Sequence, residues 1–136
     1  MRLRVATLED CERVWQWNFA ADVRAVSNDP TIVELARHAA WYVHRLQNGA
    51  FWIIEHDDEA VGTVRIDDGR LSIALAATAR GKGLGKRAIA AACVAWAQPV
   101  VAQVRPDNQP SRAAFEAAGF VSTGRESELV TYQWSP

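Results

Sequence analysis

The stretch Ala79-Arg80-Gly81-Lys82-Gly83-Leu84-Gly85-Lys86-Arg87 constrains this chain more than any other. It follows an apolar run, Leu71 to Ala77, that reads as a strand. It precedes Ala88 to Ala97, which reads as a helix. Three glycines between a strand and a helix let backbone N–H groups converge without side chains in the way. The N-terminus of the following helix adds partial positive charge at the same place. Arg80, Lys82, Lys86 and Arg87 add full charges, although the chain as a whole carries a net charge of only -1. The basic cluster is therefore local, and the pattern points to a pocket for a phosphorylated ligand.

At 136 residues the chain is expected to form one domain, spanning 1–136, with enough apolar content (49%) to bury a core unaided. The lack of a basic excess argues against a general nucleic-acid binder. No apolar run approaches the ~20 residues of a membrane span, and no leader pattern opens the chain. Cys11 and Cys93 lie far apart without metal or redox spacing and sit in apolar helical patterns, so both are expected to be buried free thiols. A cytoplasmic location, no metal and no membrane or nucleic-acid partner follow as expectations; a homodimer is left open.

Taken in order, Leu3 to Ala6 alternates as a short strand. Thr7 and Asp10 have capping-box spacing ahead of a helix that runs to Trp17 or Asn18. Asn18 to Pro30 has no clear period. Thr31 and Glu34 repeat the cap signal before a helix with Leu35, Ala39, Tyr42 and Leu46 as its apolar stripe, ended by Asn48-Gly49. Strands follow at Phe51–Glu55, Ala60–Ile66 and Leu71–Ala76, with Asp67-Asp68-Gly69 as a hairpin signal. After the glycine turn and its helix, stopped by Pro99, come a strand at Val100–Val104, a loop to Pro110 and a helix from Ser111 to Ala118. A last pair of strands covers Phe120–Thr123 and Ser127–Trp134. This is a mixed α/β chain with a mostly antiparallel front half, not the regular alternation of a doubly wound dinucleotide fold.

Two common phosphate loops do not fit. The NTP loop needs a glycine, four intervening residues, a Gly-Lys pair and then a hydroxyl; Arg80 stands in the first place and Arg87 in the last. The dinucleotide fingerprint needs G-x-G-x-x-G, whereas Gly81, Gly83 and Gly85 alternate. Arg80-Gly-Lys-Gly83-Leu-Gly85 does fit the R/Q-x-x-G-x-G/A motif of the GNAT N-acetyltransferase superfamily. Asn108-x-x-Ser111-x-x-x-Phe115-x-x-x-Gly119-Phe120 resembles a later block of the same family, N-x-x-S-x-x-x-Y/F-x-x-x-G-F. The likeness covers almost the whole chain.

The resemblance implies a central twisted, mostly antiparallel sheet flanked by helices, with two central strands splayed apart and acetyl-CoA as co-substrate. Arg80, Gly81, Lys82, Gly83, Leu84, Gly85 and Lys86 would cradle the pyrophosphate. The backbone of Ile73, Ala74 and Leu75 would pair with the pantetheine arm, and Leu75 N–H would serve the oxyanion. Asn108, Ser111 and Phe115 would lie near the cofactor arm, although Ser111 reads equally as a plain helix cap. Phe115 stands where many members carry a tyrosine acid, and the strand glutamate that often acts as base is also missing. The catalytic acid and base therefore stay unassigned.

For the acceptor, a small-molecule amine, a narrower resemblance exists. Trp17, Asp22, Val23, Arg24, Ser27, Ile32, His38, Trp41 and Tyr42 are similar in spacing to members that acetylate nucleotide-linked amino sugars on routes to pseudaminic acid. Phe19 and Asn18 depart from that pattern. Arg24, Ser27 and His38 are the candidate acceptor contacts. The bland alternatives are a surface ion pair of Arg24 with Asp22 and a His38 packed near Trp41. Asp67 and Asp68 read as a hairpin tip, with a base role acting through water as the alternative. A protein N-terminus or antibiotic amine as acceptor, or a CoA-binding module without catalysis, are the competing functions.

Overall fold

The computed structural model describes residues 1–20 and 33–136. Its elements are β1 (Arg2–Val5), a 3-10 turn (Leu8–Asp10), α1 (Cys11–Asn18), α2 (Leu35–Gln47), β2 (Ala50–His56), β3 (Glu59–Asp67) and β4 (Arg70–Leu75). A second 3-10 turn (Ala77–Ala79), α3 (Leu84–Trp96), β5 (Val100–Val104), α4 (Gln109–Ala117), β6 (Val121–Glu126) and β7 (Leu129–Trp134) complete the chain. One seven-stranded sheet runs in the order β1-β2-β3-β4-β5-β7-β6. Every neighbouring pair is antiparallel except β4 and β5. The expected mixed α/β sheet is present.

The period-2 alternation of the strands sorts side chains to two faces. Phe51 and Ile53 join Ala6, Val14 and Tyr42 in a small cluster under α1 and α2. Ile54, Val64, Ile66 and Leu71 face the other way, into the main core with Ile89, Ala92 and Cys93 of α3 and Phe115 of α4. Burial pushes the Cys93 thiol up to about 11, so it is an inert core group at neutral pH. Cys11 is also free but only half-buried, packed at the edge of the small cluster and not within it as expected.

Hairpins form where the turn chemistry demands them. Asp57 and Asp58 (φ 51° and 63°) and Asp68 and Gly69 (φ 50° and 77°) occupy the left-handed region that a two-residue turn between twisted strands requires. The helices differ from expectation in two boundaries and in one buried face. α3 begins at Leu84, four residues before Ala88, because Leu84 is the first buried anchor of that helix (1% exposed). In α2, Leu35 is 37% exposed and His38 takes the inward position, 1% exposed. Asn108, not Ser111, caps α4, its Oδ1 accepting from the Ser111 N–H at 3.3 Å.

The N-terminal strand is tied down by charge. Asp10, 5% exposed, accepts from both terminal nitrogens of Arg4 at 2.8 Å and from the Thr7 N–H at 2.9 Å. The Arg4 hydrogen bonds hold its carboxyl below the usual carboxylate range. Its contribution is complete above the unfolded value near ~4 and is lost as pH falls through the lower folded-state value. Asp10→Asn, which cannot accept a two-pronged ion pair, is expected to cost about 2 kcal/mol at pH 7 in urea unfolding. The gap to wild type should narrow as the buffer is taken below about pH 4. A constant gap across that range would exclude the ionised carboxylate as the cause.

Candidate active site

The site starts from hydrogen-bond bookkeeping along β4. Ala76 N–H donates to the Val61 carbonyl at 2.8 Å. Antiparallel ladders alternate, so Ala74 and Ser72 also turn their N–H and C=O toward β3, opposite Thr63 and Arg65. Ile73 and Leu75 then turn theirs the other way, toward β5. The β4–β5 ladder consists of one register pair, Arg70↔Val101, supported by Val101 N–H to the Gly69 carbonyl at 2.8 Å. Beyond that pair β5 follows β7, from Val100↔Trp134 to Val104↔Val130. A wedge-shaped gap opens between β4 and β5, edged by the backbone of Ile73 and Leu75. Of the three residues expected to serve the cofactor arm, Ala74 is corrected: its backbone is committed to β3.

At the wide end of the gap the chain makes a 3-10 turn and enters the glycine stretch. Gly81 (φ 77°) and Gly83 (φ 73°) are both left-handed, and Gly83 is the N-cap of α3. The first amides of a helix have no intrahelical acceptor, and no side chain caps this one. Those donors have the exposed Lys82, Lys86 and Arg87 around them, an arrangement of the kind that suits an anion. Gly85 has a different task. A Cβ there would sit 3.5 Å from the Ala114 Cβ and 3.8 Å from Leu75, ordinary packing distances, so Gly85 faces α4 and the end of β4. Leu84, expected in the phosphate turn, has its side chain in the core.

Three features were missed from sequence. Gly62 lies opposite Leu75, and a Cβ on it would collide with the Ala74 carbonyl and come within 2.9 Å of the Leu75 side chain. A glycine inside an apolar strand signals such a close approach. The Arg80 guanidinium donates to the Leu75 carbonyl at 3.0 Å. Tyr132 lies stacked 6.2 Å from Phe115, with its hydroxyl donating to Glu116 at 3.0 Å and accepting from Arg112 at 3.1 Å. Phe115 itself is 3% exposed and packs edge-on to Phe120. Its ring is a core member.

On the opposite face, Arg24 and Ser27 lie outside the described residues. His38 is packed among Phe19, Trp41 and Tyr42 with Nε2 3.1 Å from the Cys11 carbonyl, and burial lowers its pKa. Trp41 is half-buried under the Arg65 guanidinium, 4.9 Å from the ring centre, and Tyr42 is wholly buried. Asp67 is bound by Arg65 at 2.8 Å and Arg45 at 3.4 Å. A cleft of about 440 Å³ is lined by Arg13, Gln16, Trp17, Asp58, Glu59 and Ala60. It lies between α1 and the start of β3, two residues along that strand from Gly62. Among the described residues no cluster of His, Cys, Asp and Glu could hold a metal, and no helix is long and apolar enough to cross a membrane.

A family model described as an acetyltransferase (GNAT) domain matches residues 1–121. The chain belongs to the GNAT acetyltransferase family. The family's co-substrate is acetyl-CoA, and its reaction needs no metal. Among solved structures, AAC(6')-Ib with ribostamycin and coenzyme A is similar at 17% identity, covering 98% of this chain and 92% of its own, with a TM-score of 0.83. The ribosomal-protein-alanine N-acetyltransferase from Brucella melitensis is 20% identical over 100% of both chains, TM-score 0.79. A putative acetyltransferase, yncA, from Salmonella typhimurium with acetyl-CoA is 21% identical over 99% of this chain and 93% of its own, TM-score 0.79. These likenesses establish the GNAT fold. No curated protein matches the sequence.

The left-handed turn yields a direct test. Gly83→Val strains φ 73° and puts a branched side chain where the phosphates must approach. CoA binding by calorimetry should weaken at least ten-fold, about 1.4 kcal/mol. Unchanged affinity in a folded variant would remove this turn from the donor site.

Proposed function

We propose that the chain transfers the acetyl group of acetyl-CoA to a primary amine of a small molecule, with an amino sugar, free or nucleotide-linked, as the favoured acceptor. The observation that carries the reading is the wedge between β4 and β5, edged by the Ile73 and Leu75 backbone and ending at the glycine turn. A pantetheine arm placed there behaves as an added strand. Gly81 to Gly85 and Lys86 then meet the pyrophosphate, and the thioester carbonyl reaches Leu75 N–H. Asn108 and Ser111, at the start of α4, flank the same arm.

The chemistry follows from that placement. A neutral amine attacks the thioester carbon, the oxyanion accepts a hydrogen bond from Leu75 N–H, and the C–S bond breaks to release the CoA thiolate. The proton lost by the new ammonium passes to solvent. Phe115 has no proton to give, but a thiol pKa near ~8.5 makes the thiolate an adequate leaving group without an acid. No base is assigned, which suits an acceptor whose amine is substantially neutral near pH 7. The free cysteines suit a reducing compartment such as the cytoplasm.

For the acceptor, the AAC(6')-Ib structure holds an amino-sugar antibiotic, ribostamycin, on the same fold. In this chain the cleft between α1 and the start of β3 offers the half-buried Trp17 ring with Asp58, Glu59 and Arg13 around it. A flat ring flanked by polar groups suits a sugar. A second reading, a protein N-terminus, is supported by the full mutual coverage with the ribosomal-protein-alanine enzyme.

CoA release from acetyl-CoA, followed over a panel of amino sugars, their nucleotide conjugates, aminoglycosides, polyamines and N-terminal peptides, decides between them. Turnover of peptides alone would replace the amino-sugar reading. With the productive acceptor, kcat/KM should rise with pH and level off at the acceptor's own amine pKa. A further titration belonging to the enzyme would mean that a base is in use after all.

A further inference from the structure

The sheet face under α1 and α2 carries a cation that the acetyl-donor site does not use. Ile73 and Leu75 pack their side chains on the main core beneath α3 and α4. That face of the gap is filled, so an acceptor approaches from the other one. By register the side chains of Ser72 and Ala74 face that side, opposite Arg65 and Thr63 of β3. Phe51, the β2 neighbour of Arg65, lies in the small cluster there. Arg65 thus stands one strand from the gap, on the approach side. Its side chain is only 23% exposed. The guanidinium lies 4.9 Å from the centre of the Trp41 ring, and its Nε donates to Asp67 at 2.8 Å. Among the described residues nothing accepts from its two terminal nitrogens, yet neither is sealed away from solvent. Their shared edge is therefore open.

The charges on this face do not balance. Asp67 is shared between Arg65 and Arg45, at 2.8 and 3.4 Å, so two guanidinium groups face one carboxylate. His38 adds no charge at neutral pH, since burial lowers its pKa and Arg65 lowers it further. Burial also lowers the pKa of Arg65, and Asp67 offsets this only in part. A half-enclosed cation is left with a flat pair of N–H donors, the geometry that holds a phosphate or carboxylate by two prongs. We propose that Arg65 binds an anionic group of the acceptor, a phosphate or carboxylate carried on the same molecule as the reacting amine. This rests on the reading of the wedge as the acetyl-donor site. Ser72, the register partner of Arg65, precedes Leu75 by three residues, about 10 Å along β4 at ~3.3 Å per residue. The anion is therefore set several bonds from the amine, as in a phosphorylated or nucleotide-linked amino sugar. A polycation such as an aminoglycoside meets two guanidinium groups instead.

Calorimetry on the full chain with CoA bound tests this without needing turnover. The probes are glucosamine, glucosamine 6-phosphate, UDP-glucosamine, muramic acid and kanamycin. At low salt at least one anionic probe should bind about ten-fold tighter than glucosamine, and kanamycin no tighter than glucosamine. Preference for either phosphorylated probe marks a phosphate, and preference for muramic acid a carboxylate. In Arg65→Gln the preference should shrink about five-fold or more. Arg65→Lys, which keeps the charge but not the fork, should recover part of it. In wild type the guanidinium 15N resonances of Arg65 should move when the preferred probe is added, which keeps the test intact if Arg65→Gln does not fold. No anionic preference in wild type overturns the proposal, as does kanamycin binding tighter than every anionic probe. So does a preference undiminished in Arg65→Gln, an equal loss for glucosamine and the anionic probes, or an unmoved Arg65 resonance. Acetylation of a neutral amine with no anionic preference rejects the anion site and keeps acetyl transfer. An anionic preference carried by Arg65, with no amine turned over, keeps the anion site and rejects catalysis.

Discussion

The structure depends on one ladder that stops early. β4 and β5 are parallel neighbours that touch at Arg70↔Val101 and then part. Two constraints hold them apart. β5 is committed to β7 over five register pairs, so it cannot swing back. β4 is committed to β3 over six, down to Gly62↔Leu75. The backbone groups of Ile73 and the N–H of Leu75 are left at an interior edge of the sheet, while the Leu75 carbonyl accepts from Arg80. An unpaired backbone group in such a place costs about 1–3 kcal/mol if water cannot reach it. The gap is therefore stable only while it is wet or filled by something with its own amides and carbonyls. A pantetheine arm supplies that pattern.

Three glycines border this gap, each in a different setting. Gly62 permits β3 to press against the end of β4, where any Cβ would strike the Ala74 carbonyl. Gly83 supplies the left-handed turn that starts α3, at φ 73°. Gly85 faces α4 at Ala114. Replacing Gly62 or Gly83 would disturb the strand position or the left-handed turn, whereas a Cβ at Gly85 meets only ordinary packing contacts. The motif read from sequence thus mixes one residue at the helix N-terminus with one that faces a neighbouring helix, and Leu84 between them faces the core.

How much was legible follows the same physics. The Asp68-Gly69 hairpin was readable because its left-handed pair has few alternatives in sequence. The sorting of Ile73 and Leu75 from Ala74 was not, because alternation only gains a direction once the partner strand and register are known. His38 was ambiguous for a related reason. A histidine on an apolar stripe can pack or bind, and only its burial with Nε2 toward the Cys11 carbonyl distinguishes the two. Ser111 and Asn108 could each cap α4; the chain entered the helix one turn earlier than the serine implied, and Asn108 took the role. The acceptor side was least legible. Arg24 and Ser27 sit in a stretch with no period, so sequence offers no face on which to place them.

Phe115 bears on the chemistry more than its apolar character suggests. Its ring is sealed between Phe120 and Tyr132, so a hydroxyl carried at its para position would need a polar partner there. The one phenol stacked on it, Tyr132, is wholly buried and already shared between Arg112 and Glu116. Neither ring is therefore suited to protonate a departing thiolate. In the proposed reaction this places the catalytic burden on groups that carry no exchangeable side-chain proton: the Leu75 amide, aimed by its neighbours, and the helix N-terminus that holds the leaving CoA by its phosphates. Such a site accelerates transfer by orientation and fixed dipoles. Its rate then depends on how well the end of β4 is held, which ties the early end of one ladder to the chemistry.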